Sequence, residues 1–167
     1  TFDLDSLEIY NEPITTFGTQ IFNKRKLFVE NLNPIVQHFY EIISGGKETV
    51  NVIYESHLLE DNFENLLPQN IDRDRQLTYT SKGIHKYDLM FEINGKKKKK
   101  MGSQGQQKSF LIALKLAQIN RIKELTGKSP ILLLDDIFDK LDDKRVSQLI
   151  ELVNKEKFGQ MFITDTH

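Results

Sequence analysis

Three short stretches in the second half of the chain hold residues whose types and spacing could do chemistry. The first is Asp135-Asp136, directly after the apolar run Ile131-Leu132-Leu133-Leu134. In an open α/β sheet, ligands lie beyond the carboxyl ends of the strands. A carboxylate there can hold Mg²⁺, directly or through water, and a second can polarise an attacking water. The ordinary alternative is that acids simply start the turn after a strand. The second stretch is Gly102-Ser103-Gln104-Gly105-Gln106-Gln107, leading into a long apolar segment. A helix N-terminus offers free N–H groups and a positive dipole end, which suits a phosphate, and glycine lets a ligand approach the backbone closely. The plainer reading is a capped helix. The third stretch, Asp139-Lys140-Leu141-Asp142, starts four residues after Asp135 and by itself is a charged turn.

These stretches need elements to position them. Gln104 to Thr126 is the clearest helix, with Ser103 as N-cap and Gly127 and Pro130 after its end. Its first half, Phe110 to Ala117, is apolar nearly all round, which predicts deep burial. Its second half keeps a stripe through Ile119, Ile122 and Leu125. The run Ile131 to Leu134 predicts a buried parallel strand. Residues 143 to 154 predict a helix and 158 to 164 a further strand, together an α/β unit.

Upstream, residues 3 to 43 read as helical, with Ile14, Phe17, Ile21, Phe28, Leu32, Ile35, Phe39 and Ile43 on one face. Pro34 predicts a break or kink there, and Gly45-Gly46 an end. Thr49 to Glu55 predicts a strand with Val50, Val52 and Tyr54 on one side. Residues 57 to 76 are polar and weakly periodic, consistent with short helices. Leu89 to Ile93 predicts a strand, Asn94-Gly95 a tight hairpin turn, and Lys96 to Met101 the return arm. The expected domains are a helical lobe with a hairpin over 1–101 and an α/β part over 102–167.

Composition narrows the function classes. Of the 167 residues, 38% are hydrophobic and 28% charged, a globular balance that argues against disorder. With 23 Lys and Arg against 24 Asp and Glu, the net charge is −1, so any nucleic-acid or membrane binding must use a local patch. The absence of cysteine excludes a disulfide framework, a zinc–thiolate site and a thiol nucleophile. No apolar run approaches the ~18 residues that span a bilayer, and the acidic start has no signal-peptide character. The chain starts on Thr1 and stops on His167 just after an expected strand, which reads as a fragment.

Taken together, the order of glycine-serine-glutamine turn, helix, apolar strand with two acids, and aspartate loop resembles the second half of an ABC-type ATPase head: signature, Walker B strand and D-loop. More narrowly, Gly102 to Lys108, Ala113 to Ala117, Ile131 to Asp136, Gly83 to Leu89, Leu32-Asn33-Pro34 and Ser44-Gly45-Gly46 resemble the bacterial RecF family, along essentially the whole chain. The resemblance implies an α/β fold. It would be the C-terminal part of an SMC-like ATPase head, a helical lobe plus part of a parallel sheet with flanking helices. It implies a cytoplasmic protein of DNA repair, replication restart and the SOS response. Such a protein dimerises around ATP on double-stranded DNA and works with RecO and RecR to place RecA at gaps. On that pattern Ser103, Gln104, Gly105 and Gln106 would bind ATP held by the other subunit. Asp135 would organise Mg²⁺, Asp136 would activate water, and Asp139 and Asp142 would belong to the loop crossing the dimer interface.

Several features depart from the family pattern. Tyr87 stands where the family usually has an acid after the histidine. His85 is a family marker without a chemical role read from its spacing, and His167 falls near the family's switch region. His38 and His57 read as structural. No Gly-x-x-x-x-Gly-Lys-[Ser/Thr] exists in the 167 residues, and Gly127-Lys128-Ser129 has Ile122 in the first position and the wrong strand–helix order. The family's phosphate loop is expected upstream. A helix N-terminus contributes ~0.3–1 kcal/mol to an anion, whereas a ~1 mM dissociation constant needs about −4.1 kcal/mol. The chain alone is therefore expected to bind ATP very weakly and hydrolyse none; micromolar binding by calorimetry would contradict this.

The run Lys96 to Lys100 predicts an edge strand protected by lysine. Its alternative role is DNA contact through Lys96, Lys98 and Lys100, worth a salt slope of about −2.7 at roughly −0.9 per phosphate. Other functional classes consistent with the residues are a non-hydrolysing module that binds DNA or RecR, and another SMC-type head.

Overall fold

The computed structural model describes residues 4–97, 103–135, 139–156 and 158–164. Two compact units divide the chain, Thr1–Val29 with Ile53–Met90 and Glu30–Val52 with Phe91–His167. The expected boundary at 101/102 falls outside the described residues.

The first element, α1 (Leu4–Ser44), is one continuous helix of 41 residues. Pro34 does not end it. Proline removes one N–H, and here the turns around it carry the buried residues Leu32, Val36, Phe39, Tyr40 and Ile43, whose packing outweighs that loss. The expected apolar face is only half realised, because Ile14, Phe17, Ile21 and Phe28 are exposed. Periodicity marks a stripe but does not supply a partner for it. In the first unit the close contact is instead at Gly18. A Cβ there would lie 2.5 Å from the ring of the fully buried Phe63, so only glycine admits that ring.

After the helix come β1 (Val50–Ser56), a short 3₁₀ turn (His57–Leu59) and α2 (Phe63–Leu77). The polar stretch expected as short helices is thus one 3₁₀ turn and one helix of 15 residues, capped by Asn62, whose side chain accepts from the Asn65 N–H at 3.0 Å. The β1 residues Val50, Val52 and Tyr54 are buried as expected. Next come β2 (Tyr87–Ile93) and β3 (Lys96–Lys97), in a sheet of order β1-β2-β3. The turn between them is Asn94-Gly95, with φ of 51° and 70°, the geometry the dipeptide predicts. Glu92 pairs with Lys97 and Ile93 with Lys96, antiparallel. The lysine strand therefore sits at a sheet edge; the expected continuation over Lys98 to Met101 lies outside the described residues.

In the first unit the Arg25 guanidinium lies 4.0 Å over the Tyr87 ring and donates to the Ile84 carbonyl at 2.9 Å. The aromatic face of Tyr87 thus holds a cation through its ring quadrupole. His85 lies in the turn before β2, its Nε2 2.8 Å from the Thr80 carbonyl oxygen.

The second unit carries the remaining elements. α3 (Gln104–Thr126) runs from the Ser103 cap to Gly127, at φ 69°. Its buried face is Phe110, Ile112, Ala113, Leu116, Ala117 and Ile119. Phe110 meets Phe91 edge-on, with centroids 4.6 Å apart, and Tyr40 at 6.3 Å. Leu111, Ile122 and Leu125 are exposed, so the helix is buried on one side rather than all round. β4 (Leu132–Leu134), α4 (Asp143–Lys155) and β5 (Met161–Ile163) form the expected α/β unit, with β4 and β5 parallel and Leu133 opposite Phe162. β4 is not buried on both faces: Leu132 and Leu134 are inside, while Leu133 is 71% exposed. Among the described residues no helix is long and apolar enough to cross a membrane.

Candidate functional site

The N-terminus of α3 is built by a reciprocal cap. The Ser103 hydroxyl accepts from the Gln106 N–H at 3.3 Å, and the Gln106 side-chain oxygen accepts from the Ser103 N–H at 2.9 Å. This satisfies two donors that a helix start otherwise leaves open. Ser103 and Gln104 are exposed at this turn. The other end of the Gln106 amide is engaged too, its Nε2 donating to Glu48 at 2.8 Å.

Glu48 is the hub of a network. Its carboxylate accepts from the Tyr40 hydroxyl at 2.6 Å and from the Arg145 guanidinium at 3.2 Å on each oxygen. Arg145 also donates to the Ser109 hydroxyl at 2.9 Å and pairs with Asp142 at 3.3 Å. The hydroxyl of Ser109, fully buried, in turn donates to the Gly105 carbonyl at 2.8 Å. The Glu48 and Arg145 side chains are only 16% and 13% exposed, so this pair is far less screened than a surface pair.

The electrostatics follow. Burial alone would raise the Glu48 carboxyl, but hydrogen bonds from Tyr40, Gln106 and Arg145 outweigh it and hold it below the usual carboxylate range. Burial and the neighbouring Glu48 push the Tyr40 hydroxyl up. For Arg145 burial works against the charge, and the Glu48 partner more than restores it. Asp142 is held low chiefly by the Arg145 backbone N–H, which it caps at 2.9 Å as the first residue before α4.

The loop before α4 meets the start of α3 directly. A Cβ on Gly105 would lie 3.0 Å from the Lys140 carbonyl oxygen, and Lys140 itself has φ of 66°. The room that glycine leaves is thus taken by the loop backbone. Asp139 pairs with Lys140 at 2.8 Å.

The second part of the site is the end of β4. Asp135 is exposed there, and its carboxylate accepts a hydrogen bond from the Thr164 hydroxyl just past β5. The Thr164 N–H donates to the Leu134 carbonyl at 2.9 Å. A groove of about 450 Å³ runs beside it, lined by Leu111, Ile112, Lys115, Ile119 and the residues of β4 up to Asp135. Asp136, Lys98, Lys100 and His167 lie outside the described residues, and Lys96 is placed only as backbone. Among the described residues no group of three His, Asp or Glu is disposed to hold a metal ion. Asp135 with Thr164 is an all-oxygen pair, which suits the few protein ligands Mg²⁺ takes when phosphates and water complete its shell.

The structure thus brings together Ser103, Gly105, Gln106, Lys140 and Asp142. The residues missed in the sequence are Tyr40, Glu48, Ser109 and Arg145. One signal was available: a cation in the first turn of a helix opposes the dipole and needs an acidic partner. The partner itself is 97 residues away.

The chain as a whole is similar to known proteins. No protein-family model matches the chain. The DNA replication and repair protein RecF of Flavobacterium johnsoniae is 58% identical over all 167 residues, and RecF of Phocaeicola vulgatus is 44% identical over 99% of the chain. This chain is RecF-like along its whole length. It spans about half the length of these relatives, 46% and 45%. The solved recombination mediator RecF–ATP, of the RecFOR pathway, superposes on 98% of the RecF-like chain with a TM-score of 0.80 at 28% identity, the chain covering 47% of that protein. An Smc head domain from Pyrococcus furiosus, solved with the C-terminal domain of ScpA, superposes on 97% of it with a TM-score of 0.53 at 21% identity, the chain covering 35% of that protein. The fold of the RecF-like chain is that of RecF and SMC ATPase heads, a helical lobe with small sheets.

Proposed function

We propose that the RecF-like chain supplies the signature, Walker B strand and D-loop of an ATP-dependent DNA-binding protein that acts in recombinational repair and replication. The observation that carries this reading is the meeting of the Ser103 turn with the Lys140–Asp142 loop, on a chain similar throughout to RecF. Two ATP molecules would lie between two copies of the full-length protein.

In that assembly Ser103 and Gln104 present a hydroxyl, an amide and the N-terminal dipole of α3 to the terminal phosphate. Gly105 and Gln106 belong to the ATP site by shaping the turn. Asp135 holds Mg²⁺, which when bound offsets the phosphate charge. Asp136 accepts the proton of the attacking water. Asp139 and Asp142 lie in the loop that reaches the second copy. Lys96, Lys98 and Lys100 contact double-stranded DNA by phosphate, and the ATP-bound dimer helps RecO and RecR place RecA at gaps in the cytoplasm.

The test is Asp136→Asn in the full-length protein. ATP-dependent dimerisation should persist while turnover falls by at least ~10²-fold, the lower end of what a general base contributes. Normal turnover would reject Asp136 as the water-activating group.

A further inference from the structure

The Glu48–Arg145 pair does more than fill space beneath α3. An ionised carboxylate has about four acceptor positions. Those of Glu48 are taken by Tyr40, Gln106 and two contacts from Arg145. The guanidinium is divided three ways, with Nη2 on both oxygens of Glu48, Nη1 on Ser109 and Nε on Asp142. The partners come from three separate stretches of the chain: Gln106 and Ser109 from the first two turns of α3, Asp142 from the cap of α4, and Glu48 from the segment after α1. Gln106 cannot leave Glu48 without disturbing the Ser103 cap, because one amide serves both. Asp142 cannot shift without changing the grip of Arg145, and the backbone contact of Gly105 with Lys140 leaves no slack between the two loops.

We infer that Glu48 and Arg145 are positioning residues that clamp the signature turn to the D-loop, so that both meet the nucleotide and the second copy as one rigid piece. The inference rests on the sandwich reading above and adds to it two residues and a role. Neither residue touches nucleotide. Arg145 sets the start of α4 through Asp142, and Glu48 sets the Ser103 turn through Gln106. A purely structural pair would support the fold without favouring the dimer.

The experiment uses the full-length protein and compares Glu48→Gln, Arg145→Lys and the neutral double variant Glu48→Gln/Arg145→Met. The double variant leaves no unpaired buried charge and keeps an acceptor for Tyr40 and Gln106, so it retains the fold. Three quantities are read: thermal unfolding, ATP binding by the isolated subunit, and ATP-driven dimerisation by sedimentation. The clamp predicts ATP binding within about twofold of the unaltered protein and dimerisation weakened about tenfold in the double variant. Arg145→Lys keeps the charge but not the fork, and should recover only part of the dimerisation. A folded double variant that dimerises like the unaltered protein overturns the clamp. Dimerisation and ATP binding falling by the same factor also overturns it. If the unaltered protein itself fails to dimerise with ATP, it is the sandwich reading that fails.

Discussion

The start of α3 and the end of β4 are the two halves of the proposed site, and they are stabilised in opposite ways. At the start of α3 the polar groups are joined to neighbours within the same unit: cap, amide, carboxylate, guanidinium and buried hydroxyl form one chain of contacts. At β4 the sheet is two strands of three residues each. One face is open, with Leu133 and Phe162 exposed side by side, and Asp135 leans on the hydroxyl of Thr164. A two-stranded sheet is marginal by itself. The start of α3 is therefore held by a polar network, whereas the end of β4 is held by its pairing with β5 and by the buried side chains Leu132 and Leu134.

The contrast can be broken at three places, in decreasing order of effect on unfolding of the chain in urea, with Leu133 as the comparison for the first. Leu134→Ala removes a side chain that is 6% exposed and should cost about 2–5 kcal/mol, while Leu133→Ala on the next residue should stay within about 0.5 kcal/mol. Comparable losses at both positions would mean that the outer face of β4 is covered. Arg145→Met alone should cost about 1–3 kcal/mol, because it strands the Glu48 charge in a partly buried place. Ser103→Ala removes half of a reciprocal cap and should cost about 1 kcal/mol.

Acid sharpens the same contrast. The Glu48 carboxyl is held low in the folded chain, so between its folded value and the ordinary carboxylate range the unfolded chain binds more protons. Its contribution is complete above about pH 5 and is lost as pH falls through the lowered folded value. Glu48→Gln should flatten that part of the stability–pH curve. An unchanged curve would mean that Glu48 is not held low.

How much of this was legible in the sequence depended on how local the cause is. Both ends of α3 were readable because Ser103 and Gly127 act within a turn of themselves. Asn94-Gly95 was readable for the same reason. The path of α1 through Pro34 was not, since the packing of Val36, Phe39 and Tyr40 overrides a local breaker. The exposed side of α1 at Ile14 and Phe17, and the fit of Gly18 to Phe63, depend on which surface lies opposite, and spacing carries no record of that. The polar residues of the Ser103 turn and of the Asp139–Asp142 loop were legible by type. The pair that binds them, Glu48 and Arg145, was not, because their partnership is formed only by the fold.

On the proposed sandwich, the Ser103 turn of one copy and the Asp136 end of another complete a single ATP site. Mixing two full-length variants, Ser103→Arg and Asp136→Asn, and measuring ATP turnover decides whether they do. Each alone should be inactive, and the mixture should recover activity, because one site of each mixed dimer has both intact parts. A mixture as inactive as its components, in which mixed dimers are seen to form, would mean that the two copies do not share an ATP site in this way.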